Sequence, residues 1–158
     1  MKILIIKHGS LGDLVLSFGA IKTLNHHYPN DDLYLLTQSN YKNIFIKLPY
    51  VKEILIDNRS SIIQSIINYL KTIKKNKFDL VIDLQNSNRT QIYHLFTRVF
   101  TNTKILSARK FSNIKYQQQK LGIQHITQNH KDQLSNLNIH KYFFPDLSWM
   151  SVKKTHEN

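Results

Sequence analysis

Residues 3–13 read Ile-Leu-Ile-Ile-Lys-His-Gly-Ser-Leu-Gly-Asp, which is a run of branched apolar side chains followed by a glycine-rich turn. Four consecutive apolar residues are typical of a short strand that is covered on both faces, as in a parallel sheet. Gly9 and Gly12 permit a tight turn after this strand. Apolar residues then recur at helical spacing over 14–24, which predicts an amphipathic helix. The stretch therefore predicts a strand, a turn and a helix in succession.

Ser10 and Asp13 lie at the predicted start of that helix, and two interpretations of the pair stay open. As N-cap and third helical residue, they match the acidic form of a capping box. In the second interpretation, Asp13 projects into the crevice at the carboxyl end of the strand, where open α/β sheets bind ligands. The helix macrodipole favours the ionised form of this carboxylate, so it could accept a proton from a substrate hydroxyl. The turn contains neither a dinucleotide-binding G-x-G-x-x-G nor a Walker A motif.

The rest of the chain alternates between predicted strands and predicted helices. Strands are predicted over 32–37, 51–56, 80–84 and 104–106, and helices over 41–48, 63–74, 90–100 and near 131–137. The helix over 63–74 is expected to pack through one apolar face, formed by Ile63, Ile66, Ile67, Leu70 and Ile73. Segment 107–130 is expected to be a mobile, irregular loop. Such alternation predicts an α/β fold with a parallel sheet and right-handed crossovers.

Composition restricts the class of protein without naming its function. The chain has no cysteine, which excludes disulfides and thiolate metal sites, and its eight histidines form no set at ligand spacing, so no metal is expected. No apolar run is long enough for a signal peptide or a membrane span, which predicts a cytoplasmic protein. The net charge of +12 favours polyanionic partners, namely nucleic acid, a phosphorylated glycolipid or an anionic membrane face. An AT-rich coding sequence would also enrich Lys, Asn and Ile.

The motif Lys7-x-Gly9-Ser10-Leu11-Gly12-Asp13 resembles the N-terminal motif of glycosyltransferase family 9, the lipopolysaccharide heptosyltransferases. Later segments are similar to further landmarks of the family in the same order. They are Tyr28-Pro29, Leu48-Pro49-Tyr50-Val51, Phe78–Gln85, Asp132-Gln133-Leu134 and Pro145–Trp149. The resemblance covers nearly the whole chain but only half of a family member.

The resemblance implies the N-terminal domain of a GT-B glycosyltransferase, a Rossmann-like parallel sheet with helices on both faces. Residues 1–150 would form the acceptor-binding domain, and residues 151–158 a tail or the start of a linker to a missing donor-binding domain. A truncated enzyme is therefore expected, and whether this chain is active stays open.

The family's reaction is an inverting transfer of a sugar from a nucleotide-sugar donor, here expected to be ADP-heptose, to the lipopolysaccharide inner core. Carried over position by position, the resemblance makes Asp13 the catalytic base. The residues that it assigns to substrate binding are Lys7, Gly9, Ser10, Leu11, Gly12, Gln85, Arg89 and Thr90. Arg89 would suit a carboxylate or phosphate of the acceptor through its planar fork.

The resemblance implies no metal or other cofactor. The expected partners are a phosphorylated glycolipid acceptor, a nucleotide-sugar donor held by a second domain, and the inner face of the bacterial inner membrane through peripheral contact. Two alternatives stay open. One is a non-catalytic truncated remnant or binding module, and the other is a basic nucleic-acid-binding domain, which no recognised DNA or RNA motif supports.

Overall fold

A computed structural model describes residues 1–118 and 126–150 of the chain. The strands are β1 (Lys2–Ile6), β2 (Asp32–Thr37), β3 (Glu53–Ile56), β4 (Leu80–Asp83), β5 (Lys104–Ser107) and β6 (Ile114–Lys115). The helices are α1 (Leu11–His27), α2 (Lys42–Phe45), α3 (Ile62–Asn76), α4 (Asn88–Phe100) and α5 (Ile126–Ser135). Short 3₁₀ turns cover Ser39–Tyr41 and Ser148–Met150.

The six strands form one parallel sheet in the order β3-β2-β1-β4-β5-β6. β1 lies at the centre, where Leu4 is in register with Tyr34 of β2 and Val81 of β4. This is the doubly wound order, and the chain reverses its direction of winding between β1 and β4. The predicted α/β, Rossmann-like parallel sheet is therefore confirmed, and its switch point lies at the end of β1.

Helices cover both faces of the sheet, as expected. Ile3 and Ile5 pack in one apolar cluster with side chains of α1 and α5, while Leu4 and Ile6 pack in a second cluster with side chains of α3 and α4. Successive residues of a strand point to opposite faces, so a run of four apolar residues supplies both clusters. All four side chains are fully buried.

The last described segment packs against α1. A Cβ atom at Gly19 would lie 2.6 Å from the carbonyl oxygen of Phe143, so the close approach of this segment requires glycine. The Phe143 amide donates to the Thr23 hydroxyl at 2.9 Å, and the Trp149 ring lies edge-on to Phe18. These contacts hold residues 142–149 against α1.

The burial of α3 differs from the prediction. Its buried residues are Ser65, Tyr69 and Ile73, whereas Ile63 is 68% exposed and Ile67 is 41% exposed. The apolar arc of this helix is wider than the surface that the sheet offers, so one side of the arc is left without a partner. The predicted apolar face is therefore wrong for Ile63 and Ile67.

The region after β5 also differs in part from the prediction. The short strand β6 lies inside the segment that was expected to be irregular, and α5 begins at Ile126, before the predicted helix near 131–137. Residues 119–125 of the expected mobile loop and the expected tail over 151–158 lie outside the described residues. In the described ranges, no helix is long and apolar enough to cross a membrane.

Candidate functional site

A small polar cleft lies at the carboxyl edge of the sheet, beside the switch point. Its volume is about 160 Å³. The lining residues are Lys7, Asp13, Leu84, Gln85, Asn86, Tyr116, Gln118, Ile126, Asn129, His130 and Gln133. The cleft is smaller than the ~300–1,000 Å³ of typical ligand pockets, so it would hold only one part of a larger ligand.

Lys7 and Asp13 face each other across Gly9. A Cβ atom at Gly9 would lie 3.1 Å from the Asp13 Cβ and 3.2 Å from the Lys7 Cε, so only glycine fits between the two side chains without displacing one of them. The Lys7 side chain is buried, and burial lowers its pKa while the nearby carboxylates of Asp13 and Asp83 act in the opposite direction. The sequence motif thus places a buried amine beside a partly exposed carboxylate.

The capping-box interpretation of Ser10 and Asp13 is wrong. Ser10 is the N-cap residue of α1, but its side chain makes no capping hydrogen bond. Among the described residues, no hydrogen bond to the Asp13 carboxylate is present. Attraction to the Lys7 ammonium offers this carboxylate an alternative to the backbone of the first turn. Within residues 1–118 and 126–150, the Asp13 carboxylate therefore lines the cleft without a capping role.

Gln85 is bound to the backbone of the loop that follows β1. Its side-chain oxygen Oε1 accepts hydrogen bonds from the amides of His8 at 3.0 Å and Gly9 at 2.8 Å. The residue also lines the cleft. Gln85 thus positions the glycine loop, and substrate contact by the same side chain stays a prediction.

Asn86 organises the turn after β4. Its φ of 49° is left-handed, a conformation that favours glycine and that asparagine tolerates. The Asn86 side-chain oxygen accepts from the Ser107 hydroxyl at 2.9 Å and the Ala108 amide at 2.8 Å, while its Nδ2 donates to Gln133 at 3.1 Å. The turn therefore ties β4, the end of β5 and α5 together at the floor of the cleft.

His130 and Asn129 on α5 are site residues that sequence reasoning missed. Burial, reinforced by the neighbouring Lys7 ammonium, lowers the pKa of His130 to about 3, so its imidazole is neutral at pH 7. The buried atoms His130 Nδ1 and Asn129 Oδ1 have no hydrogen-bond partner among the described residues. The sequence signal was weak, because both residues lie at the end of segment 107–130, which was expected to be irregular, and His130 was considered only as a metal ligand.

Arg89 and Thr90 do not line the cleft. The Arg89 Nε donates to the Tyr93 hydroxyl at 3.0 Å, and its guanidinium also donates to Ser65. Thr90 is fully buried and forms a capping box with Ser87 at the start of α4. Both side chains have structural contacts, so their assignment to substrate stays a prediction without a place in the cleft.

Two buried carboxylates beside the cleft have histidine neighbours that the sequence did not reveal. His8 Nε2 lies 3.4 Å from Asp57, which also accepts from the Tyr93 hydroxyl at 2.6 Å. His94 Nε2 lies 3.2 Å from Asp83. Burial alone would raise the pKa of Asp83, but His94 and further hydrogen-bond donors outweigh it and lower that pKa overall. The His8–Asp57 pair joins the ends of β1 and β3, and the His94–Asp83 pair joins α4 to the end of β4. All four side chains are buried.

Other sites were sought in the described part of the chain. No group of three or more His, Asp or Glu side chains there could hold a metal ion. A larger cleft of about 820 Å³ lies at the amino ends of β4 and β5, near Lys77, Asp79 and Lys104. It contains none of the residues predicted from the motif, and open α/β sheets bind ligands at the other edge. The small cleft is therefore the candidate site.

No protein-family model matches the sequence, and no curated protein matches it. Solved structures do match. A glycosyl transferase family 9 protein from Veillonella parvula DSM 2008 is 18% identical, with a TM-score of 0.72 over 87% of this chain and 41% of that one. The E. coli ADP-heptose lps heptosyltransferase II is 17% identical, with a TM-score of 0.69 over 98% of this chain and 47% of that one.

A third match is the E. coli heptosyltransferase WaaC with ADP-2-deoxy-2-fluoro heptose. It is 16% identical, with a TM-score of 0.64 over 94% of this chain and 52% of that one. At these identities the matches establish the fold, and they confirm the Rossmann-like, GT-B-type architecture that the resemblance implied. The chain spans about half the length of the solved structures that it matches.

Proposed function

We propose that this chain is the acceptor-binding half of a heptosyltransferase-like glycosyltransferase. The observation that carries this function is the Asp13 carboxylate, which lies at the carboxyl edge of the sheet, faces the buried Lys7 amine and is free of hydrogen bonds from the described residues. The fold shared with two heptosyltransferases supports this choice of reaction. The substrate class is a nucleotide sugar, proposed to be ADP-heptose, together with a lipopolysaccharide inner-core acceptor.

In the proposed reaction, Asp13 takes the proton of an acceptor hydroxyl while that oxygen attacks the anomeric carbon of the donor sugar. The bond to the donor diphosphate breaks on the opposite side of the sugar, so the configuration inverts. Lys7 holds its positive charge beside Asp13 and orients the carboxylate. General-base assistance of this kind contributes about 10²–10⁴-fold to a rate. No step requires a metal, so a chelator is expected to leave transfer unchanged.

The acceptor would contact the loop of Gly9, Ser10, Leu11 and Gly12. Leu11 is 53% exposed, and a Cβ atom at Gly12 would meet no atom within 4 Å, so this loop presents an open surface. The Gln85 side chain holds the start of this loop in place, because its oxygen accepts hydrogen bonds from the backbone amides of His8 and Gly9. The donor would bind a second domain that faces this edge, supplied by the same protein or by a partner.

A phosphorylated glycolipid acceptor is anchored in a membrane. The proposed function therefore includes peripheral contact with the anionic inner face of the bacterial inner membrane, and the net charge of +12 is suited to that surface. Nucleic acid is not a proposed partner.

A non-catalytic binding module is the second candidate function. The observation that favours it is the size of the cleft, because a volume of about 160 Å³ would hold only one part of a larger ligand. Such a module would bind the acceptor through the same loop and would transfer nothing.

Calorimetric titration with deacylated lipopolysaccharide inner-core oligosaccharide tests the proposed function, and incubation with labelled ADP-heptose, the same acceptor and the domain that binds the donor measures transfer. We expect Asp13→Asn to keep acceptor binding and to lower transfer by about 10²–10⁴-fold. Glu53→Gln is the matched control, because this exposed carboxylate lies at the amino end of β3, away from the cleft.

Three other results would revise the assignment. Acceptor binding without transfer, in the presence of the donor-binding domain, would favour the binding module. Equal transfer by Asp13→Asn and the parent chain would remove Asp13 as the base. Absence of acceptor binding, with tight binding of duplex DNA instead, would contradict both candidate functions.

A further inference from the structure

One face of the molecule exposes large apolar side chains on two neighbouring helices. On α3, Ile63 is 68% exposed and Ile67 is 41% exposed, and on α4, Val99 is 65% exposed and Phe100 is 50% exposed. Leu95 adds a further exposed side chain on α4. Single exposed apolar residues are ordinary, but a group on adjacent helices marks an interaction surface. These five residues are the α3–α4 face.

The two helices are packed together, so the exposed side chains form one surface. The Tyr69 and Tyr93 rings stack at 4.4 Å between the helices, and the Tyr69 hydroxyl lies 2.9 Å from that of Thr97. The Lys74 Nζ lies 4.9 Å from the centre of the Phe100 ring. Ile63 is three helical turns before Lys74 on the same side of α3, so its side chain also lies on the flank that faces α4.

The charged side chains on α3 and α4 are all basic. Neither α3 nor α4 contains an aspartate or a glutamate. Four exposed basic residues lie on the two helices: Lys71, Lys74, Lys75 and Arg98. A second copy of the chain would bring the same positive charges against these, which is unfavourable. An apolar surface bordered only by cations is instead suited to a bilayer with anionic headgroups.

We infer that the α3–α4 face binds the surface of an anionic lipid bilayer, with Ile63, Ile67 and Val99 entering the interface and the lysines contacting the headgroups. Both helices begin at the carboxyl edge of the sheet, because each follows a strand of the parallel sheet. A bilayer on this face would therefore lie beside the edge that contains Asp13. The inference rests on the membrane contact that is part of the proposed function, and it assigns that contact to one face. Vesicle binding is measured without donor or acceptor, so it can fail while sugar transfer succeeds.

Co-sedimentation with phospholipid vesicles tests this inference. We expect the chain to bind vesicles of phosphatidylglycerol and phosphatidylcholine, and to bind pure phosphatidylcholine vesicles far less. Lys71→Gln combined with Lys75→Gln should lower the vesicle partition coefficient by roughly 30-fold. This is the fold-change that corresponds to losing about 1 kcal/mol of attraction for each of two basic residues near the membrane surface. The matched control is Lys42→Gln combined with Lys47→Gln, which removes two exposed lysines from elsewhere.

A second pair of variants tests the apolar contribution. Ile63→Ser combined with Val99→Ser should lower binding by more than tenfold. Ile46→Ser combined with Phe144→Ser is the control, because these residues are 62% and 76% exposed outside the face.

Two outcomes would overturn the inference. One is equal binding by the face variants and their controls. The other concerns oligomeric state measured by light scattering. If the parent chain is a dimer, the variant with Ile63→Ser and Val99→Ser is a monomer, and both bind vesicles equally, the face belongs to a contact with a second copy.

Discussion

At the residue scale, the cleft is defined by side chains that restrain one another. Gly9 has room for no side chain because the Asp13 Cβ and the Lys7 Cε both lie close to the position that its Cβ would take. The oxygen Oε1 of Gln85 accepts from the amide of the same glycine, which fixes the loop from the other side. The separation of Lys7 and Asp13 is therefore set by a backbone that cannot shift toward either of them.

Gly9→Ala and Gly12→Ala should have opposite effects on the free energy of unfolding. The new methyl group at position 9 would press on Asp13, which belongs to α1 and cannot move freely, so we expect a loss of about 1 kcal/mol. At position 12, in the first turn of α1, the methyl group meets no atom within 4 Å, and alanine should stabilise the helix by about 0.5–1 kcal/mol. Urea unfolding of both variants measures this, and equal effects at the two positions would contradict the crowding at Gly9.

At the element scale, the helices α1 and α4 begin in different ways. Ser87 accepts from the Thr90 amide at 3.2 Å, and the Thr90 hydroxyl accepts from the Ser87 amide at 3.0 Å. Ser10 occupies the corresponding position of α1 without such a bond. The helix beside the candidate site therefore begins without side-chain capping, which leaves Ser10 and the first turn of α1 open to a ligand.

The two serines provide a matched test of this difference. We expect Ser87→Ala to lower the free energy of unfolding by about 1 kcal/mol, the usual cost of losing a capping side chain. Ser10→Ala should change it by less than about 0.5 kcal/mol, as for other surface substitutions. Thermal and urea unfolding of the two variants give the comparison. A similar loss for Ser10→Ala would mean that Ser10 caps α1 after all.

Periodicity was sufficient to predict most elements, because the strands are short apolar runs and the helices have clear apolar spacing. It could not predict which part of α3 is buried. The sheet contacts Tyr69 and Ile73 and leaves Ile63 exposed, a result that depends on how the helix is rotated against its neighbours. The strand β6 was missed because two residues carry no measurable alternation.

The sequence predicted the candidate-site residues that lie near the start of the chain and missed those on α5. Lys7 and Asp13 are close in sequence, so the strand-turn-helix pattern was enough to bring them to one edge. His130 reaches the same cleft from a helix more than a hundred residues away, and only the fold brings it there. Arg89 was expected to face the substrate, but its neighbours Tyr93 and Ser65 direct its side chain toward α3.

At the scale of the whole molecule, the two faces of the sheet have different surroundings. The face covered by α1 and α5 also packs against the last described segment, through Gly19 and Trp149. In the part of the chain that the structure describes, α3 and α4 cover the opposite face, and their outer surface is apolar and basic. The candidate site lies at the edge between these two faces, so the proposed bilayer contact through α3 and α4 would place the proposed membrane-anchored acceptor near Asp13.

Acid should destabilise the whole domain through its buried histidines. Burial lowers the pKa of His8 to about 4 and that of His130 to about 3, well below the value of about 6.5 in an unfolded chain. Below about pH 6.5 these histidines bind protons in the unfolded state but stay neutral in the folded state. The free energy of unfolding therefore falls as the pH falls. Each histidine contributes a slope of up to about 1.4 kcal/mol per pH unit, until the pH approaches its folded pKa.

Urea unfolding at several pH values between about pH 7 and pH 5 measures this slope. His130→Gln should remove about half of the slope that the two histidines cause, whereas His26→Gln, at an exposed position near the end of α1, should leave it unchanged. NMR titration of the His130 ring should show no protonation over the same range, because burial, and after it the Lys7 ammonium, lowers the pKa of this imidazole to about 3. A slope that is the same in His130→Gln and the parent chain would mean that this imidazole is solvated, and the cleft would then be more open than its lining residues indicate.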